Sequence, residues 1–242
     1  MGKTDRKRRG DSGAGVWTIV AAAGGGNRFG GAKQFSRLGD RLVIDWVVQR
    51  AARWSEGVVV VLPEARTTGE EAWRLPDPHD RCGGKVVVVA GGVLRSDSVR
   101  CGLNRVPEAA EIVLVHDGAR PLATDGVFER VIQAVRSGAD AAIPVIELTD
   151  TIRWRRGGTA DRRQLAAVQT PQAFRAGALR SAHAGGADAT DDATLVEAAG
   201  AAVVTVDGDT RNLKITEPHD LVTAEALLEA CSQPGGGGDT RG

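Results

Sequence analysis

Residues 21–35 read AAAGGGNRFGGAKQF, a turn of small residues that leaves an apolar run and closes on a single lysine. A chain that turns this sharply after a β-branched run and then resumes a helical spacing makes a strand-to-helix joint, the repeating unit of an α/β fold. Gly24, Gly25 and Gly26 leave backbone N–H groups uncovered while Arg28 and Lys33 add positive charge, so the loop suits a phosphate. A purely structural role, with glycines supplying only unusual backbone angles, stays open on the loop alone. Lys33 follows Ala32 and precedes Gln34, whereas a Walker A loop needs Gly-Lys followed by Ser or Thr. Counting from Gly24 and Gly26, the third glycine of a dinucleotide fingerprint falls on Phe29, which weakens that reading too.

Outward from this loop, short apolar runs alternate with helical spacing. The runs lie near 17–22 and at 58–63, 85–90, 111–116 and 140–147, and their continuous apolarity predicts strands covered on both faces. Between them, residues near 43–54, 96–106 and 125–138 space their apolar side chains at three and four, with Ser96 and Asp125 as expected N-caps and Gly138 as the stop. The series is βαβ, hence a doubly wound, mostly parallel sheet. After Glu147 the rhythm changes: TDTIRW and RRQLAAVQT read as two strands joined by RRGGT, a hairpin arm spanning about 147–168. Such an arm either contacts a partner subunit or folds back on its own domain. Helices are expected at 173–183, 190–199 and 218–231, with strands AVVTVDG and NLKIT among them and Pro218 in the last helix's first turn.

Lys plus Arg and Asp plus Glu number 31 each, so no overall field recruits nucleic acid or an anionic membrane. The segment 1–15 is basic but lacks the apolar core of a secretory signal, and 232–242 is glycine-rich; both are expected to be disordered tails around one domain at 16–231. Cys82, Cys101 and Cys231 form no CxxC pattern and the histidines no spaced ligand set, which points to a reducing cytoplasm and no structural zinc. No apolar run reaches the roughly 18 residues that would cross a bilayer.

Open parallel sheets bind ligands beyond the carboxyl ends of their strands. Those positions hold the 24–33 loop, AGGVLRSDSV after the third run, HDGARP after the fourth, and KIT near the end. Asp117 suits a nucleotide sugar or a divalent cation, or equally a turn. Arg95 and Arg120 read singly as surface charges, and Lys214 as either a snorkelling lysine or a phosphate binder.

AAAGGGNRFGGAKQF, AGGVLRSDSV, VHDGARP, DTIRW, AVQTPQAF, TDDATLVE and DTRNLKITEPHDL, in this order over roughly 17–228, resemble the 2-C-methyl-D-erythritol 4-phosphate cytidylyltransferase family. The resemblance implies a Rossmann-like nucleotidyltransferase sheet with the arm projecting from it, and a magnesium-dependent transfer of CMP from CTP to methylerythritol phosphate with loss of pyrophosphate. It implies Arg28, Lys33 and Lys214 as catalytic cations on the phosphates. Ala22, Ala23, Gly24, Gly25, Gly26, Gly92 and Ser98 would surround the nucleoside, with Asp117 beside the ribose and the metal. Arg120, Thr151, Arg162 and Thr190 would hold the polyol phosphate, and the arm would reach the neighbour's site in a homodimer. Three departures stand out: Ala32 replaces the family's usual proline, the loop between arginine and lysine is short, and Gly118 replaces a second small residue. The chain is also too short for the cyclodiphosphate synthase domain fused to some relatives. A ribitol 5-phosphate cytidylyltransferase and a non-catalytic nucleotide-binding dimer module are the alternatives. The three intact cations argue against the second.

Overall fold

The computed structural model describes residues 15–26, 29–75 and 85–232. Arg28, Cys82 and all but the innermost residue of each expected tail lie outside them. The apolar runs become β1 (Val16–Ala21), β4 (Gly57–Leu62), β5 (Lys85–Ala90), β6 (Ile112–Asp117) and β7 (Ala141–Glu147), with a minor antiparallel pair β2 (Arg37–Leu38) and β3 (Arg41–Leu42). Later come β8 (Ala166–Val168), β9 (Gln172–Arg175) and β10 (Val203–Asp207). The main sheet runs β10-β7-β9-β6-β1-β4-β5, with β8 paired to β7. It is parallel at β1/β4, β1/β6, β4/β5 and β7/β10.

Side chains alternate between the faces, so each strand feeds two cores. Val58, Val60 and Leu62 of β4 pack with α1 (Val43–Ala52) and α3 (Asp125–Arg136). Val59 and Val61 pack on the other face with α2 (Arg95–Leu103), α4 (Ala176–Ala184) and α5 (Asp192–Ala198). All five of these β4 side chains are fully buried, at about 1.5–3 kcal/mol each. The expected doubly wound, mostly parallel sheet is therefore present. A third cluster joins Leu38, Val43, Ile215 and Ala224, seating α6 (Pro218–Ser232) against the site end of the molecule.

Several local expectations need correction. Residues 172–175 form β9, not the start of a helix, because Leu114 pairs with Ala173 and Ala141 with Phe174 in antiparallel register, and these ladders override the local spacing. The helix begins at Ala176. Thr124 and Leu94, not Asp125 and Ser96, occupy the N-cap positions. Asp97 Oδ2, at the third helical position, accepts the Leu94 N–H at 3.1 Å, the acidic half of a capping box, while Leu94 has no side-chain acceptor to supply the other half. Asp125 sits in the first turn of α3, where it suits the helix dipole and takes the Trp54 indole N–H at 2.8 Å and Arg50 at 3.1 Å. Gly138 does follow the end of α3. NLKIT forms no ladder strand; it is an irregular segment tied by Ile215 N–H to Ala119 O at 2.9 Å.

The segment between β7 and β8 is largely exposed and holds one bridge, Arg153 to Thr159, in place of the first expected strand, while the second, expected over 162–170, is present only as the short β8 paired to β7. Asp161 Oδ1 accepts the Arg163 N–H at 3.1 Å and starts a short 3₁₀ turn over Arg162–Gln164, a side-chain bond that competes with the ladder.

Candidate active site

The carboxyl ends of β1, β5 and β6 open into a cavity of about 250 Å³, lined by Ala22, Ala23, Gly24, Gly26, Lys33, Gly92, Ser98, Asp117 and Lys214 among others. Each wall has a local cause. In the first loop Gly26 has φ +67°, and a Cβ there would lie 2.0 Å from the Gly31 carbonyl oxygen. Only glycine fits, because the chain folds back on the Gly26 carbonyl, which accepts the N–H groups of Phe29 and Gly30 at 2.9 and 3.1 Å. Gln34, 3% exposed, donates from Nε2 to Ala22 O at 2.7 Å and Gly24 O at 3.2 Å, and so pins the loop from beneath. Ala32, at φ −74° and ψ 81°, leads into the 3₁₀ turn Lys33–Phe35 that carries Lys33 to the cavity wall.

The second wall is the β5 to α2 connection. Ser98 Oγ accepts the Gly92 N–H at 3.2 Å and donates to Leu94 O at 3.1 Å, which fixes the turn. The third is the end of β6, where Gly118 lets the loops after β1 and β6 touch; a Cβ there would lie 2.5 Å from Ala22 Cβ.

Asp117 Oδ2 meets Lys214 Nζ at 2.6 Å. Burial pushes the Asp117 carboxyl up, but Lys214, Arg120 and Arg95 outweigh it and hold the pKa below the usual 3.8, so the carboxylate is charged. Beneath it His116 is fully buried, and chiefly that burial lowers its pKa to about 3, leaving a neutral imidazole. Thr170 Oγ1 accepts the Asp117 N–H at 2.9 Å and lies 3.0 Å from His116 Nδ1. Lys214 is held by its flanks. Buried Asn212 donates from Nδ2 to Thr170 O at 2.9 Å and Gln169 Oε1 at 3.3 Å, while Gln169 Nε2 bonds Asp209 O at 2.9 Å. On the other side the fully buried Ile215 is anchored to Ala119.

The structure thus gathers Ala22, Ala23, Gly24, Gly26, Lys33, Gly92, Ser98, Asp117 and Lys214 around one cavity. Gly25 is exposed within the loop and is not part of the lining. Arg120 lies behind the cavity, donating to Asn212 O at 2.6 Å and Val168 O at 3.4 Å, so it braces the Lys214 segment. Thr151 and Arg162 line a separate cavity of about 380 Å³ within the 151–163 segment. There the Arg162 guanidinium bonds the Thr149 carbonyl. Thr190 is exposed just before α5. Gln34, Gln169, Thr170 and Asn212 carry the geometry without having been singled out. Their only signal was membership in KQF, AVQTP and RNLKI, beside residues that were.

Among the described residues no group of three or more His, Cys, Asp or Glu side chains could hold a metal. Nor is any helix among them long and apolar enough to cross a membrane. The cavity instead offers one charged carboxylate among cations, a donor set that fits magnesium arriving with phosphate oxygens and its own waters.

Residues 16–230 match the family model described as IspD: 2-C-methyl-D-erythritol 4-phosphate cytidylyltransferase. The Streptomyces avermitilis protein of that name is 40% identical over 245 residues, covering 93% of this chain and 96% of the relative. A bifunctional enzyme IspD/IspF from Solidesulfovibrio magneticus is 42% identical over 236 residues; the match takes in 90% of this chain and 58% of that longer protein. The crystal structure of 2-C-methyl-D-erythritol 4-phosphate cytidylyltransferase from Thermus thermophilus superposes with a TM-score of 0.74 at 35% identity, covering 88% of this chain and 98% of that one.

Proposed function

The chain belongs to the IspD family of 2-C-methyl-D-erythritol 4-phosphate cytidylyltransferases, and from that premise we propose how its cavity carries out the reaction. The enzyme transfers CMP from CTP to 2-C-methyl-D-erythritol 4-phosphate, giving 4-diphosphocytidyl-2-C-methyl-D-erythritol and pyrophosphate in isoprenoid biosynthesis. A phosphate oxygen of the acceptor attacks the α-phosphorus of CTP. A new P–O bond forms as the bond to the β-phosphate oxygen breaks, and pyrophosphate leaves with that electron pair. The acceptor oxygen is already anionic near neutral pH, so no side chain need act as nucleophile or remove a proton. The protein aligns two polyanions and stabilises the charge that builds on the α-phosphoryl group.

The observation that carries this reading is the placement of Lys33 and the Asp117–Lys214 pair around one cavity at the ends of adjacent strands. Backbone groups of Ala22 to Gly26, with Gly92 and Ser98, hold the nucleoside. Lys33 and Arg28 bind the triphosphate, and Lys214 exchanges Asp117 for the reacting phosphate when substrates arrive. Asp117 is then free to accept magnesium, which when bound would neutralise triphosphate charge and polarise the α-phosphate. Thr151, Arg162 and Thr190 take the acceptor, with Arg120 supporting them. Because Thr151 and Arg162 line a different cavity from Lys33, the arm at 147–168 serves the site of a second copy in a homodimer of single nucleotidyltransferase domains, located in the cytoplasm.

Magnesium-dependent pyrophosphate release from CTP, run with methylerythritol 4-phosphate and with ribitol 5-phosphate, tests the assignment. Release with the first alone is the expected result. Release with ribitol phosphate alone would reassign the acceptor, and release with neither from folded, CTP-binding protein would leave a binding module.

A further inference from the structure

One buried pair of titratable groups has no part in the chemistry above. His183 on α4 is 3% exposed and Asp192 at the start of α5 is 0% exposed. His183 Nε2 lies 3.0 Å from Asp192 Oδ1, and Asp192 Oδ2 lies 2.7 Å from Arg95 Nη1. Arg95 opens α2 and lines the cavity that Lys33, Asp117 and Lys214 share. A carboxylate this deep is costly unless paired, and its cationic partner has its other side at the substrate cavity. Burial would raise the Asp192 pKa, yet His183 and Arg95 bring it below the usual 3.8, consistent with a charged carboxylate.

The surrounding contacts make the arrangement stiff. Ser96 Oγ donates to Asp188 Oδ1 at 2.5 Å, and Arg100 Nη1 to Ala187 O at 3.1 Å. Gln172 Nε2 donates to Asp191 Oδ2 at 3.2 Å. The loop before α5 is therefore moored to α2 and to β9, and Asp192, which follows that loop, pairs with Arg95. A guanidinium held on one edge by a carboxylate and open to a cavity on another is suited to phosphate oxygens, which match its planar fork.

We propose that Arg95 is a further nucleotide-binding cation, directed at the phosphates of CTP, and that the buried His183–Asp192 pair is the device that positions it. The proposal rests on the cytidylyltransferase reading for the identity of the nucleotide. Its test separates the two by measuring CTP binding directly, in the presence of magnesium, beside turnover and melting temperature. Arg95→Gln should weaken CTP binding and raise its KM about tenfold, the loss of one charge-assisted contact, while the KM for the acceptor stays within about twofold. Arg95→Lys should recover part of the loss. Asp192→Asn should reproduce the Arg95→Gln phenotype and add little to it in the double variant, because it acts through Arg95.

A lowered melting temperature for Arg95→Gln with unchanged CTP affinity would make Arg95 merely the structural counter-ion of Asp192 and overturn the proposal. Additive effects of Arg95→Gln and Asp192→Asn on CTP affinity would overturn the positioning role. If Asp192→Asn does not fold, Arg95→Gln and Arg95→Lys still decide whether Arg95 binds nucleotide, and His183→Gln decides the positioning: an unchanged KM for CTP would remove the pair from that role. Should the unaltered protein bind CTP yet release no pyrophosphate, the cytidylyltransferase reading fails while the ranking of CTP affinities still judges Arg95.

Discussion

Two regions of the molecule carry the residues assigned to its two substrates, and they are built in opposite ways. The cavity proposed for the nucleotide is walled by loops that leave β1, β5 and β6, the first and last of them buried along most of their length, and is fastened by Gln34, Ser98 and Asn212 to backbone groups. The 148–165 segment is mostly exposed, holds one bridge, and carries Arg153, Arg155, Arg156, Arg162 and Arg163. A binding surface assembled within one chain can be fixed by that chain's own packing. If, as proposed, the arm serves a neighbour, its open surface would take its order from association.

The sharpest way to break the contrast is at the cavity. Lys33→Ala or Lys214→Ala should lower turnover by about 10²-fold or more, comparable to losing one oxyanion donor, with little change in melting temperature. A normal rate would remove that residue from the mechanism. Arg162→Ala should raise the acceptor KM about tenfold and leave the KM for CTP unchanged; equal weakening of both would dissolve the division into two regions. Mixing Lys33→Ala with Arg162→Ala subunits, assayed with acceptor well below its KM so that both parents are weak, sharpens it further. If the arm serves the neighbour, mixed dimers regain one intact site and activity returns to about a quarter of normal. No recovery after subunit exchange would put arm and cavity of one chain in the same site.

Acid sensitivity gives a smaller effect. Asp192 and Asp161 both have carboxyl pKa values below the usual 3.8, the first through His183 and Arg95 against the opposing pull of burial, the second through Arg163 at the surface. A depressed carboxylate binds fewer protons folded than unfolded, so its stabilising contribution is present above 3.8 and fades as pH falls towards the folded value. Asp192→Asn should therefore flatten the fall in melting temperature below about pH 4 by a few degrees. Asp161→Asn should leave it unchanged, because exposed pairs contribute little. Equal flattening by both would mean the arm is as tightly built as the cavity.

The same division governs what could be read from sequence. Continuous apolar runs such as VVVVL announced the buried parallel strands because both faces must be covered. Gln172–Arg175 announced nothing, since a four-residue strand with polar ends takes its conformation from the two strands it joins. Lys33, Asp117 and Lys214 were legible from resemblance and from their places after strands. The amides of Gln34, Gln169 and Asn212 were not, because a side chain that bonds distant carbonyls has no period. The arm was legible as a change of rhythm, but of its two expected strands the first is reduced to one bridge and the second to β8, the residues just before β8 being taken by local bonds to Asp161.

Ala32 stands where the family resemblance leads one to expect proline, yet its φ of −74° already falls in the range a pyrrolidine ring enforces. The short loop therefore holds the ring's shape through Gln34 and the Gly26 turn, and what it lacks is the ring's restriction of the unfolded chain. That difference is entropic, and it lies in a state no contact in the folded protein describes. Ala32→Pro should raise stability by about 0.4–1 kcal/mol, read as a small rise in denaturation midpoint with CTP affinity unaltered. Alanine here leaves the native loop as it is and gives the denatured chain more conformations to lose.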